Sequence, residues 1–126
     1  MNNIMVCVTK QKTCQRLIDY GKSLKTSEED QLFVIHVAGE NEKFLGNTEE
    51  GEALEFLYEK AREAGAALTV EKSSDVIKTL VEIADKNQVS RVVVGESGRD
   101  TAAGFLKSLG TNLASRAKLV IVPAVS

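Results

Sequence analysis

Five short apolar runs alternate with stretches in which apolar residues recur every three or four positions. The runs occupy residues 4–8, 32–37, 67–70, 91–94 and 119–122, and each reads as a strand. Ile4-Met5-Val6-Cys7-Val8 is apolar without alternation, as expected for a strand covered on both faces. Thr13 is placed to cap a first helix through about Leu24, with Leu17, Ile18, Gly21 and Leu24 on one stripe. Gly21 lowers helix propensity there, so its expected purpose is close approach of helix to sheet. Leu32 to Val37 forms the second run and gives way at Ala38-Gly39 to a connector through Asn47.

Thr48 is expected to cap a second helix whose start carries Glu49, Glu50 and Glu52, favourable at a positive helix end. Its buried stripe reads Leu54, Leu57, Tyr58, Ala61 and Ala64, and Gly65 ends it. Glu52, Glu55, Glu59 and Glu63 share the spacing of a solvated face. Ser73 or Ser74 caps a third helix, with Asp75 in its first turn, buried along Ile77, Leu80, Val81 and Ala84 and fading at Asn87. Past the fourth run two readings compete. Leu106, Leu109, Leu113 and Ala117 keep a helical period across Gly110, whereas Gly110-Thr111 favours a break and a new helix start at Thr111. We expect the break, with a helical turn before it. Pro123 lacks a ladder donor and marks the end or edge of the last strand.

Strands alternating with helices imply an α/β, doubly wound, five-stranded parallel sheet with helices on both faces. The 126 residues suit one domain spanning 1–126, with no internal repeat or linker. A hydrophobic content of 43% beside 27% charged residues is ordinary for a globular chain. The formal charge of −2 gives no reason to expect a nucleic acid or anionic membrane partner. No apolar run approaches the ~20 residues of a membrane span, and the start lacks a signal-peptide pattern, so a cytoplasmic protein is expected.

Candidate chemistry concentrates after the fourth run. In Val92-Val93-Val94-Gly95-Glu96-Ser97-Gly98 an apolar strand stops at a glycine, a second glycine follows, and Gly110-Thr111 stands behind it. Glycines let backbone approach an anion closely, and hydroxyls and free N–H groups at a helix start donate to it. Other chemistry is thin. There is no Gly-x-x-x-x-Gly-Lys-Ser/Thr loop, no Gly-x-Gly-x-x-Gly after the first strand and no Gly-x-Ser-x-Gly elbow. His36, the sole histidine, lies in an apolar strand, and with Cys7 and Cys14 makes no metal set. Cys7 reads as a packed thiol. Cys14 has a second reading as a redox-sensitive thiol, at a helix start with Lys10 and Lys12 upstream. No enzymatic activity is expected.

The Gly95-x2-Gly98 loop with its following Gly-Thr resembles the nucleotide loop of the universal stress protein family, and the resemblance runs the whole length. Val6-Cys7-Val8-Thr9, Ile35-His36-Val37, Val93-Val94-Gly95-Glu96-Ser97-Gly98 and Leu119-Val120-Ile121-Val122-Pro123 are similar to the family's strand ends. Thr13-Cys14-Gln15-Arg16-Leu17-Ile18 also resembles the version of this domain inside potassium-responsive sensor kinases. Two residues depart from the pattern: Thr9 stands where nucleotide-binding members carry aspartate, and eleven residues rather than nine separate Gly98 from Gly110.

The resemblance implies an adenine nucleotide alpha hydrolase-like fold of strand order 3-2-1-4-5. In that order the switch point lies between the first and fourth strands, where ligands of such sheets bind. It implies ATP or another adenine nucleotide there, with Thr9, Val37, Gly95, Ser97, Gly98, Arg99, Gly110 and Thr111 converging on it. Val37 would sit near the base, the glycine loop on the phosphates, and Arg99 could add charge. It also implies a homodimer through the last strand, whose apolar edge needs cover. The alternative is a nucleotide-independent signalling or interaction module of the same fold, with a protein partner.

Overall fold

In the structure, a computed structural model that describes residues 2–9, 11–46, 49–95, 100–113 and 117–123, five parallel strands form one sheet. They are β1 (Asn3–Cys7), β2 (Leu32–Gly39), β3 (Ala67–Ser73), β4 (Val89–Gly95) and β5 (Lys118–Val122), in the order β3-β2-β1-β4-β5. The expected strand order and all five strands are therefore present. The central strand pairs on both sides, Met5 lying opposite Phe33 of β2 and Val92 of β4.

The helices are α1 (Gln11–Ser23), α2 (Glu50–Glu63), α3 (Val76–Lys86) and α4 (Asp100–Leu113). Because side chains alternate across a strand, the unbroken run of β1 serves two cores. Ile4, Val6 and Val8 pack with Leu17 and Ile18 of α1 and with Ala53, Leu57 and Ala61 of α2. Met5 and Cys7 pack with Leu80 and Ala84 of α3 and with Leu109 and Leu113 of α4. Gly21 allows the close approach expected of it: a Cβ there would lie 2.4 Å from Cγ2 of Val6.

Local differences from the sequence reading have simple causes. The helix α1 begins at Gln11, so Thr13 lies inside it and does not cap it. Thr48 lies outside the described residues, and Glu49 is the N-cap of α2 without a side-chain cap bond. The buried stripe of α2 is Ala53, Leu57 and Ala61, spaced four apart, which turns Tyr58 outward to 57% exposure. Tyr58 was misassigned because the stripe drawn through Leu54 shares Leu57 and Ala61 with the observed one but spreads to the flank where Tyr58 lies, about 100° of helix from Leu57.

Neither Ser73 nor Ser74 is the cap of α3; Asp75 is. Its Oδ1 accepts the Lys78 N–H at 3.1 Å, while Ser73 Oγ accepts the Asp75 N–H at 3.0 Å. A carboxylate at that place also meets the positive end of the helix. Asp75→Ala should therefore lower stability by about 1 kcal/mol in urea unfolding, and Asp75→Asn should retain most of it. An Asn variant as weak as the Ala variant would show that charge, and not the cap bond, is what matters.

Candidate functional site

The C-terminal edge of the sheet is staggered, and the stagger makes the candidate site. The central strand β1 ends at Cys7, and Val8 adds one more ladder bond by donating its N–H to the Ile35 carbonyl at 3.0 Å. Thr9, exposed, follows at the lip. On one side β2 continues to Gly39, while on the other β4 reaches Gly95, level with Val8. Since Ile35 turns its carbonyl toward β1, period two turns the main chain of Val37 the same way, beyond the end of β1. Thr9, Val37 and Gly95 thus border one crevice at the switch point. A Cβ on Gly95 would meet Cδ1 of Leu17 at 3.4 Å, so α1 packs directly under this edge.

His36 fixes two of the crevice's borders. Its Nδ1 lies 2.8 Å from the Val8 carbonyl, and its Nε2 lies 2.8 Å from the backbone nitrogen of Leu45. A carbonyl only accepts and a backbone N–H only donates, so the ring is neutral with its proton on Nδ1. Burial lowers its pKa below the ordinary value, against the opposing effects of the Val8 carbonyl and the Glu42 charge. His36 thus has a structural role, tying two backbone segments together.

Leu45 belongs to a short 3-10 turn, Phe44–Gly46, that leads from β2 toward α2. Glu50 holds this turn from below, its Oε2 accepting the Phe44 N–H at 3.1 Å and pairing with Lys72 at 3.7 Å. That hydrogen bond is the main reason the Glu50 carboxyl sits below its usual range. Lys72 in turn lies 4.8 Å from the centre of the Phe44 ring.

The structure does not bring Gly110 and Thr111 to the crevice edge. The helix α4 runs without a break through both, and Thr111 lies in its last turns with Oγ1 donating to the Lys107 carbonyl at 2.9 Å. The new helix start expected at Thr111 does not exist. One interior glycine costs about 1 kcal/mol, whereas burying a leucine returns ~1.5–3 kcal/mol, so Leu109 and Leu113 decide the outcome.

As the return limb between two parallel strands, α4 begins at the C-terminal edge and runs away from it. Ten residues of helix carry Gly110 roughly 15 Å from Asp100. Consistently, a Cβ on Gly110 would meet Cδ2 of Leu119, the partner of mid-strand Val92, at 3.5 Å. The helix start that does face the edge is residues 100–103, which the sequence reading missed. The competing reading, the leucine period carried across Gly110, gives the unbroken helix but starts it only at about Gly104. Ser97, Gly98 and Arg99 lie outside the described residues.

Cys14 does not show the environment of a reactive thiol. It is the fourth residue of α1 and fully buried, and burial raises its pKa more than the nearby backbone bonds and the Lys60 charge lower it. Burial likewise pushes Cys7 up to about 12. Among the described residues no group of three or more His, Cys, Asp or Glu could hold a metal, and no helix is long and apolar enough to cross a membrane.

Comparison with known proteins agrees with this geometry. The model of the universal stress protein family matches residues 1–123. Among solved structures, a universal stress protein in complex with cAMP superposes with a TM-score of 0.64 at 22% identity, over 98% of both chains. The universal stress protein from Archaeoglobus fulgidus in complex with dAMP gives a TM-score of 0.63 at 17% identity, over 96% of this chain and 97% of that one. A universal stress protein family protein from Arabidopsis thaliana with AMP bound gives 0.63 at 15% identity, over 100% of this chain and 94% of that one. At such identities the likeness establishes the fold. No curated protein sequence matches the chain.

Proposed function

The chain belongs to the universal stress protein family, and from that premise we propose that it is a regulatory module binding an adenine nucleotide in the crevice beyond β1. The observation that carries this reading is the stagger: β1 ends early, leaving the main chain of Val37 facing the gap beside Thr9 and Gly95. A main-chain edge offers the donor and acceptor that an adenine edge needs, and Thr9 reaches the ribose. The phosphate then points toward the start of α4, and the resemblance assigns it to the loop residues Ser97, Gly98 and Arg99. The relatives with cAMP, dAMP and AMP support this class of ligand.

The proposal favours a monophosphate over ATP. With Gly110 and Thr111 roughly 15 Å away along α4, the family's second phosphate anchor has no counterpart from these residues. The module acts by binding and not by turnover, because His36 has both ring nitrogens occupied.

Calorimetric titration with AMP, cAMP, ATP and a cyclic dinucleotide tests the reading. AMP should bind at least as tightly as ATP, and Thr111→Ala should leave AMP affinity unchanged within about twofold, since Thr111 Oγ1 donates to the Lys107 carbonyl of its own helix. Tighter ATP binding that Thr111→Ala weakens would overturn the monophosphate assignment.

The second reading is a nucleotide-independent interaction module, favoured by Thr9 in place of the family's aspartate. Under either reading the sheet edge at β5, with Ile121 exposed, is proposed to pair with a second copy. Light scattering should report a dimer at tens of micromolar.

A further inference from the structure

We propose that His36 is a proton-sensitive positioning residue, whose neutral ring ties the end of β1 to the Phe44–Gly46 turn and whose protonation releases that turn from the crevice. The geometry is specific. Nδ1–H donates to the Val8 carbonyl, one residue before Thr9, and Nε2 accepts the Leu45 N–H, both at 2.8 Å. A protonated ring has two donors and no acceptor. It keeps the bond to Val8 and loses the one to Leu45, where two N–H groups would then face each other.

The released element is poised to move. Leu45 sits at φ 56°, in the left-handed region that a leucine rarely adopts, so its conformation depends on what holds it. Its side chain is buried in the α1–α2 core, and its neighbour Phe44 packs edge-on against the His36 ring at 5.7 Å between centroids. Losing the tether therefore shifts the turn beside the end of β2, next to Val37.

The charged groups around the ring come from several elements. Glu42, on the connection from β2, favours the protonated ring. Lys43 from the same connection and Lys72 from β3 both pair with Glu50 of α2. The Cys14 thiol, in α1, belongs to the same core and is itself held neutral by burial. Burial of the ring outweighs these influences and keeps its titration below the ordinary 6.5. The unfolded chain then takes up the proton first as pH falls. The tether and its stability are intact above about 6.5 and are lost as pH falls through the lower folded value.

Only the ligand-binding consequence rests on the nucleotide reading, so the test separates the two. Nuclear magnetic resonance on the wild type should show the Nδ1–H tautomer at pH 7.5 and a protected Leu45 amide. The protection factor should fall by on the order of tenfold as the pH is lowered until the His36 ring titrates. His36→Asn keeps a donor toward Val8 but its amide oxygen is too short to reach Leu45, so Leu45 should be unprotected at both ends of that titration. His36→Gln, long enough to reach Leu45, should restore protection without the pH dependence.

AMP affinity should fall in parallel in the wild type and stay flat in His36→Gln. Observing the Nε2–H tautomer, or Leu45 protection that does not follow the ring titration, would overturn the proposal. If AMP binds at no pH, the nucleotide reading fails while the tautomer and amide readouts still decide this one. If a variant fails to fold, the wild-type titration decides it alone.

Discussion

Gly21→Ala should destabilise the fold by about 2–3 kcal/mol, although alanine is the better helix former by about 1 kcal/mol. The added Cβ would lie 2.4 Å from Cγ2 of Val6 and 3.3 Å from Cδ1 of Leu32. Val6 is fully buried at the centre of the sheet, and its β-branched side chain is stiff at χ1, so it has little room to turn away. The helix α1 must lift instead. That displacement opens the packing of Leu17 and Ile18, both buried in the same core. Because Leu17 also packs beneath Gly95, the crevice edge should move with it.

Urea unfolding checks the energy, and a cycle with Val6→Ala checks the cause. Removing Cγ2 takes away the clash, so the double variant should be more stable than the sum of the two losses by about 1 kcal/mol or more. A Gly21→Ala variant as stable as the wild type would show that helix propensity, not helix–sheet distance, governs that position.

The same residue shows what was legible in the sequence. Gly21 inside an apolar stripe is a local conflict, and a local conflict has a structural reason that can be named in advance. The unbroken runs Ile4 to Val8 and Val92 to Val94 were legible because burial on both faces removes the usual alternation. Strand order followed from the resemblance and from the α/β pattern. The candidate site was only half legible. Thr9, Val37 and Gly95 come together because each sits at the end of a strand, and strand ends are visible as the ends of apolar runs.

Gly110 and Thr111 were misread because a glycine followed by a threonine is both a cap signal and an acceptable pair inside a helix. The decision belongs to tertiary packing, here to Leu109 and Leu113 against the sheet. Tyr58 failed for a related reason. A stripe containing a tyrosine and two alanines has no sharp apolar centre, so its rotation is set by what it meets, in this case the sheet side of Ala53 and Leu57. The role of His36 as a two-sided tether could not be read at all, since its partners Val8 and Leu45 are backbone groups whose proximity only the fold creates.

Thr9→Asp should tighten AMP binding roughly tenfold or more if the crevice takes an adenine nucleotide, since a hydrogen bond to a charged group is worth ~1.5–3 kcal/mol. The position is well placed for the change. Thr9 is exposed at the lip, while the residue before it is fixed twice, by Val8 N–H to Ile35 and by the His36 ring to the Val8 carbonyl. A side chain there starts from a defined origin, so little ordering opposes a new bond. A hydroxyl offers one donor and one shared acceptor, whereas a carboxylate offers two acceptor oxygens that can take both ribose hydroxyls.

The control is 2′-deoxyAMP, which lacks one of those hydroxyls and should gain distinctly less from the substitution than AMP does. Weaker binding of AMP to Thr9→Asp than to the wild type would place the phosphate, not the ribose, beside Thr9 and reverse the proposed orientation. Failure of AMP to bind either protein would remove the nucleotide reading. The overhang of β2 beyond β1 would then serve a protein partner, and the absence of aspartate at position 9 would mark a fold that has kept its crevice and changed its occupant.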